Sequence, residues 1–295
     1  MLTYTLMGVN IAVWAVSAFF GGSDPQNLIR FGAKYDVLIW SGQYWRLITP
    51  IFLHAGLIHL LFNSYALYGL GVGVEILFGR VRYLVIYLVS GVMSTVVSLI
   101  FSPSLSVGAS GAIFGLFGAY VYFAISNRRR VGRSIWAAIL PALLFNLAFG
   151  LVNPGIDNYA HVGGLLGGIG VSYVVGSRAK APRRTGTFRW LVTTVIVAVF
   201  LGAVTVSLHP PRSKWFYDFN AGNRAAEAGD YSGAEDLYKS SIAAKPDNAA
   251  AHYNLAIIYI RTSRRDLAKA ELQQALTVNP QYQPARDLLN QLGGT

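Results

Sequence analysis

Four side chains of this sequence have the chemistry for acyl transfer, and each stands near the start of an apolar run: His59, Asn63, Ser110 and His161. A serine hydroxyl is a poor nucleophile until a neighbouring base takes its proton, and imidazole suits that task near neutral pH. Ser110 lies in Gly108-Ala109-Ser110-Gly111, and the available base is His161, in Ala160-His161-Val162-Gly163-Gly164. Acyl transfer also needs donors aimed at the developing oxyanion, each lowering the barrier by about 2.7–4 kcal/mol. His59 and Asn63 are four residues apart, so a helix carries them on one face, and both can donate. The Ser110 N–H, near a helix start, has no acceptor within its own helix and adds a further donor. An acidic third member is missing. Only Asp157 precedes His161 closely, and it is expected in a loop, so the residues spell a Ser–His dyad rather than a triad.

Other chemistries compete for the same residues. Gly-x-Ser-Gly in an apolar helix also serves plain helix packing. His54, His59 and His161 are possible metal ligands. However, His54 and His59 are five apart, so on a helix they would diverge, and no carboxylate or thiolate stands nearby to complete a shell. The expectation is therefore no metal and no cofactor. Cysteine is absent, which excludes thiol catalysis, disulfides and zinc–thiolate sites. A transporter would call for paired inverted repeats or acidic residues at membrane depth, and only Glu75, near one end of its run, comes close.

The elements that must position these groups follow from composition. Of the 295 residues 54% are hydrophobic and 13% charged, where a soluble chain carries about 25% charged. Apolar runs near 3–20, 57–78, 83–101, 109–126, 134–152, 158–177 and 189–208 each approach the ~20 residues that cross ~30 Å of hydrocarbon. The first run lacks a basic leader and a small-residue cleavage site, so it reads as a retained helix. The net charge of +11 invites a nucleic-acid reading. Its basic residues instead cluster at the ends of apolar runs, where they set orientation, so no nucleic-acid partner is expected. Arg80, Arg82, Arg128, Arg129, Arg130, Arg133, Arg178, Lys180, Arg183, Arg184 and Arg189 fall in alternate loops. The positive-inside rule then places those loops and the N-terminus in the cytoplasm, with the segment 21–46 and everything after 208 on the other side. With that topology the second, fourth and sixth runs all point the same way, which brings His59, Asn63, Ser110 and His161 to one depth below the outer surface. Gly111 and Gly115 give the fourth run a thin face, and Ala160, Gly164 and Gly168 give the sixth a matching seam.

After Pro210 and Pro211 the composition becomes that of a soluble domain. Pro246 and Pro280 are 34 residues apart, the period of tetratricopeptide repeats. Leu255-Ala256, Tyr259, Ala268, Leu272 and Ala275-Leu276 fit one unit, while Gly222, Ala234 and Tyr238 place a weaker one before it. The stretch 281–292 reads as a capping helix. Such arrays present a concave surface that grips a protein or peptide partner, or a second copy of the chain.

Taken together, the residues resemble the rhomboid family of intramembrane serine proteases. The resemblance rests on Trp45-Arg46, on His54, His59 and Asn63 in the spacing His-x4-His-x3-Asn, on Gly108-Ala109-Ser110-Gly111, and on Ala160-His161-Val162-Gly163-Gly164. It covers about residues 1–180 and implies a six-helix protease core there within an all-α polytopic membrane bundle; the apolar runs add a linker and seventh helix over 181–210, and the repeat spacing a tetratricopeptide-like domain over 211–295. It further implies Ser110 as nucleophile, His161 as general base, and His59 and Asn63 lining an oxyanion hole. Trp45 and Arg46 would serve as a structural motif of a lateral loop. The implied substrates are transmembrane segments of other proteins, and the implied setting is a lipid bilayer. Short loops suggest a bacterial plasma membrane, with the active site and the tail opening outside. Many members carry Tyr where this chain has Phe114, which leaves the orientation of His161 to be seen. A non-catalytic rhomboid-like binder that docks partners through its tail stays open at this level.

Overall fold

The computed structural model describes residues 1–40, 42–102, 104–128, 134–153, 155–177, 187–208 and 214–293. The basic residues Arg129, Arg130, Arg133, Arg178, Lys180, Arg183 and Arg184, and the linker 181–186, lie outside the described residues. The chain forms two compact units, divided between residues 209 and 210.

In the first unit each apolar run becomes a helix: α1 (Leu2–Phe19), α4 (Leu57–Phe78), α5 (Arg80–Phe101), α6 (Ser110–Ser126), α7 (Ser134–Val152), α8 (Asn158–Val175) and α9 (Thr187–Ser207). Leu2–Phe19, Leu57–Phe78, Arg80–Phe101 and Ile135–Val152 are long and apolar enough to cross a membrane. α6 has only 17 residues, about 26 Å at 1.5 Å per residue. Its burial explains how a short helix suffices, because the run from Gly111 to Ala119 is buried throughout. α6 is the central helix, packed against α5 and α8.

Glycine sets that packing. A Cβ on Gly164 would lie 2.8 Å from the Gly111 carbonyl carbon, and one on Gly168 would lie 2.6 Å from the Gly115 carbonyl carbon. A Cβ on Gly118 would in turn meet the Ile169 backbone nitrogen at 2.8 Å. The contacts advance in step along both helices, so α6 and α8 run parallel with backbones touching, the approach that small residues permit. α4 runs the same way beside α6. His59 packs on Gly108 at one end, the Tyr120 hydroxyl sits over Gly73 further along, and the Phe78 and Phe123 rings lie 6.4 Å apart at the other. Glu75 has a packing role that its position in the sequence does not show. Its carboxylate accepts from Leu2 N (2.9 Å), Thr3 N (3.0 Å) and Thr3 Oγ1 (2.8 Å), satisfying first-turn donors of α1.

The segment after α1, expected as an outer loop, is folded. It contains α2 (Pro25–Phe31), α3 (Asp36–Trp40) and two 3₁₀ turns, Tyr44–Leu47 and Thr49–Phe52. Local signals account for α2: Asp24 caps it by accepting from Gln26 N at 3.0 Å, proline opens it, and Gly32 at φ 105° ends it. A Cβ on Gly32 would lie 2.6 Å from the Trp45 ring. Arg46 is buried and donates to Ile29 O at 2.7 Å, Ala33 O at 3.1 Å and Gln43 Oε1 at 2.7 Å, closing the loop on itself.

The second unit has five helices among its described residues: α10 (Lys214–Glu227), α11 (Tyr231–Ala244), α12 (Ala249–Arg261), α13 (Arg265–Val278) and α14 (Gln283–Gln291). They pair as α10 with α11 and α12 with α13, and α14 closes the array. The core consists of the repeat positions, including Ala234, Tyr238, Leu255, Ala256, Tyr259, Ala268, Leu272 and Ala275, joined by Ala285 and Leu289 of α14. Gly222 lets α10 approach α11, since a Cβ there would stand 2.8 Å from the Tyr238 ring. α14 supplies the outer layer that two repeats lack.

Candidate active site

Ser110 is the first residue of α6, and His161 lies in the first turn of α8. Because α6 and α8 run parallel in register, both side chains reach the same end of the bundle, and Ser110 Oγ lies 3.1 Å from His161 Nε2. That spacing suits proton transfer between a hydroxyl and an imidazole. His161 is 7% exposed, so its ring is largely shielded from solvent. The ring stacks on Phe114, with centroids 4.1 Å apart and planes at 12°. Phe114 is one turn into α6 from Ser110, so the helix that supplies the hydroxyl also fixes the plane of the imidazole. Among the described residues, none forms a hydrogen bond with the buried His161 Nδ1.

Asp157 takes a different role from that of an acid behind the histidine. It is the N-cap of α8, with Oδ1 accepting from Ala160 N at 3.0 Å and Oδ2 accepting from Ser98 Oγ. Its carboxylate thereby joins the first turn of α8 to α5. The signal was present in the sequence as an Asp three residues before Ala160 at the head of an apolar run. Ser98, 59 residues away, carried none.

His59 and Asn63 stand on α4 and line the same cavity as Ser110 and His161. The His59 ring packs over Gly108, where a Cβ would meet its Nε2 at 2.8 Å. Gly108 has φ 131°, a conformation open to glycine, and its N–H donates to Pro50 O at 2.9 Å. Asn63 Nδ2 donates to His59 O at 3.0 Å, which leaves its second amide hydrogen for a ligand. His54 corrects the reading of two diverging histidines. It precedes α4 rather than lying on it, and the turn before Leu57 brings the His54 and His59 rings to 5.2 Å, edge to face. No group of three His, Asp or Glu among the described residues is placed to hold a metal ion.

Trp45 and Arg46 lie apart from these groups. The Arg46 guanidinium stacks over the Trp45 ring at 4.4 Å and donates to the Gln43 side chain and the loop carbonyls described above.

The cavity has a volume of about 1720 Å³. Its walls are α4 at Phe62, Tyr65 and Tyr68, α7 at Pro141, Phe145 and Phe149, and the segment 104–108 ahead of α6. It is large for one small ligand, since pockets of that kind occupy about 300–1,000 Å³.

Residues 41–178 match the Rhomboid domain family, and residues 225–292 match the tetratricopeptide repeat family. The chain is similar to the rhomboid protease GluP of Bacillus subtilis (strain 168), with 35% identity over 281 residues, 94% of this chain and 54% of that protein. It therefore spans about half the length of that relative. The putative rhomboid protease YdcA of the same organism is 37% identical over 142 residues, 48% of this chain and 71% of YdcA. RHOMBOID-like protein 5 of Arabidopsis thaliana is 30% identical over 227 residues, 68% of this chain and 73% of that protein.

Proposed function

Because the chain belongs to the rhomboid family, an integral-membrane protease family, we propose that it is an intramembrane serine endopeptidase working through a Ser110–His161 dyad. The observation that carries this reading is the 3.1 Å approach of Ser110 Oγ to His161 Nε2 in a cavity shared with His59 and Asn63. Ser110 Oγ attacks the scissile carbonyl while His161 Nε2 takes its proton. The carbonyl oxygen gathers negative charge beside His59, Asn63 and the Ser110 N–H, donors that cost no reorganisation as the charge develops. His161 then returns the proton to the leaving amine as the C–N bond breaks, leaving an ester on Ser110. Water, deprotonated by His161, releases the acyl group and restores the hydroxyl. His161 Nδ1 has no carboxylate partner among the described residues. Orientation of the ring falls instead to the Phe114 stack and the capped first turn of α8.

The walls of the cavity support a membrane-embedded substrate. Phe62, Tyr65 and Phe145 line it yet are 71%, 80% and 68% exposed, surfaces suited to a lipid-facing path for an apolar segment. Ser110, His59 and His161 lie at the starts of three parallel helices, whereas Arg80 follows α4 and Arg128 follows α6 at the opposite end. By the positive-inside rule the site opens to the extracytoplasmic side of a bacterial plasma membrane. The tail, residues 211–295, holds a protein or peptide partner that brings substrate to the protease.

The test compares wild type, Ser110→Ala and His161→Ala in proteoliposomes on a single-pass reporter substrate, with fragments identified by mass spectrometry. Both variants should lose cleavage. Equal cleavage by wild type and Ser110→Ala would place the chemistry elsewhere, and cleavage by none of the three would favour a non-catalytic binder. Truncation after residue 208 tests the tail, which is dispensable if a natural substrate is cut equally fast without it.

A further inference from the structure

Lys34 has no exposed surface, and the dyad does not use it. A buried ammonium group is costly unless every proton finds an acceptor. Lys34 Nζ donates to Ser104 O at 3.1 Å and to Ser102 O, and it forms an ion pair with Asp36 Oδ1 at 2.8 Å. The backbone repeats the attachment, since Lys34 N donates to Ser106 O at 3.0 Å and Ser106 N donates to Lys34 O at 3.3 Å. Two residues further on, Gly108 is tied to Pro50 O at 2.9 Å. The stretch ending at the nucleophile is thus anchored at Ser102, Ser104, Ser106 and Gly108 by residues of the first loop. Between the anchors, Leu105 and Val107 join Ser106 and Gly108 in lining the cavity beside Ser110.

We infer that Lys34 is a positioning residue for cleavage: its ammonium group fixes the wall along which the scissile segment of a membrane-protein substrate lies. The inference rests on the protease reading above. Asp36 compensates the charge, while the two carbonyls are what the charge is there to hold, because hydrogen bonds from an ionised donor are about twice as strong as neutral ones. The role has a signature of its own. A small serine-directed phosphonate needs only the dyad and its oxyanion donors, whereas a protein substrate must also lie against the wall.

Replacing Lys34 alone would leave Asp36 buried without its cation and destabilise the fold. The informative variant is therefore Lys34→Met with Asp36→Asn, which removes both charges at nearly unchanged side-chain volume. Wild type, this double variant and Ser110→Ala would be compared in proteoliposomes for phosphonate labelling rate, for kcat/KM on a single-pass substrate, and for thermal unfolding. Labelling by the double variant should stay within about threefold of wild type while kcat/KM on the protein substrate falls at least about tenfold. Parallel loss of both reactions, or loss of neither, overturns the inference, and so does a double variant that fails to fold, since the pair then serves stability. A wild type that neither labels nor cleaves removes the protease reading and this inference with it. With a wild type that does both, any difference in the double variant bears on Lys34 and its partner alone.

Discussion

Gly164→Ala tests whether the contact of α6 with α8 is what holds the dyad together. The added Cβ would stand 2.8 Å from the Gly111 carbonyl carbon and 3.2 Å from Gly111 Cα, whereas carbon atoms rest about 3.5–4.0 Å apart. The obstruction is backbone, which cannot rotate aside as a side chain can, so the helices must part by roughly 1 Å. Gly164 lies three residues after His161 on one helix, and Gly111 directly follows Ser110 on the other. The displacement therefore passes almost undiminished to the reacting pair, whose separation would grow from 3.1 Å to about 4 Å, past the reach of a catalytic hydrogen bond. A misplacement of about 1 Å costs on the order of 10²-fold in rate. Forced overpacking costs about 1–3 kcal/mol of stability, which exceeds the gain of up to about 1 kcal/mol from replacing a helical glycine by alanine. Gly8→Ala is the control, because no atom lies within 4 Å of a Cβ there and only the propensity gain applies. The assay is reporter cleavage in proteoliposomes beside thermal unfolding of the same preparations. If Gly164→Ala cleaves within about threefold of wild type with unchanged unfolding, the dyad does not depend on backbone contact between these helices.

Phe114→Ala removes the ring stacked at 4.1 Å on His161. At about 0.5–1.5 kcal/mol for such a stack, kcat should fall roughly 2- to 13-fold with KM little changed; an unchanged kcat would mean that the imidazole is oriented by other contacts. In the tail, the hydrogen bond from His252 Nδ1 to Glu271 at 2.6 Å raises the imidazole pKa above its ordinary value, outweighing the opposing effect of burial. Its contribution to stability is complete below about pH 6.5 and is lost as pH rises through the raised folded value. Amide exchange in α12 and α13 of the full chain, corrected for intrinsic rates, should accelerate across that window in wild type and lose the dependence in His252→Gln.

What the sequence made legible was whatever helical periodicity and topology control. The seven apolar runs became helices with ends shifted by at most three residues, for example α5 beginning at Arg80 rather than 83. The convergence of Ser110, His161, His59 and Asn63 followed because equal orientation of three helices places their first turns at one level. The glycine seam was readable for the same reason, since Gly111, Gly115, Gly164 and Gly168 recur at helical spacing. The tail was readable through its 34-residue period.

The rest of the site depends on contacts that no period announces. Lys34 finds its acceptors 68 and 70 residues away, Glu75 meets Thr3 at 72, and Asp157 meets Ser98 at 59. Each joins one charged residue to backbone or hydroxyl groups, so the partner has no complementary charge to betray it. Their common placement has a physical basis. A lipid-embedded bundle gains little from apolar burial between helices, because lipid tails are as apolar as its own side chains. Precise registration then falls to close glycine contacts and to a few buried polar anchors near helix ends: Glu75 at the start of α1, Lys34 through Ser102 and Ser104 between α5 and α6, and Asp157 at the start of α8. Asp157 caps the helix that carries His161 and Lys34 ties down the segment ahead of Ser110, so the polar anchors that sequence reading misses frame the proposed site rather than supply its reacting groups.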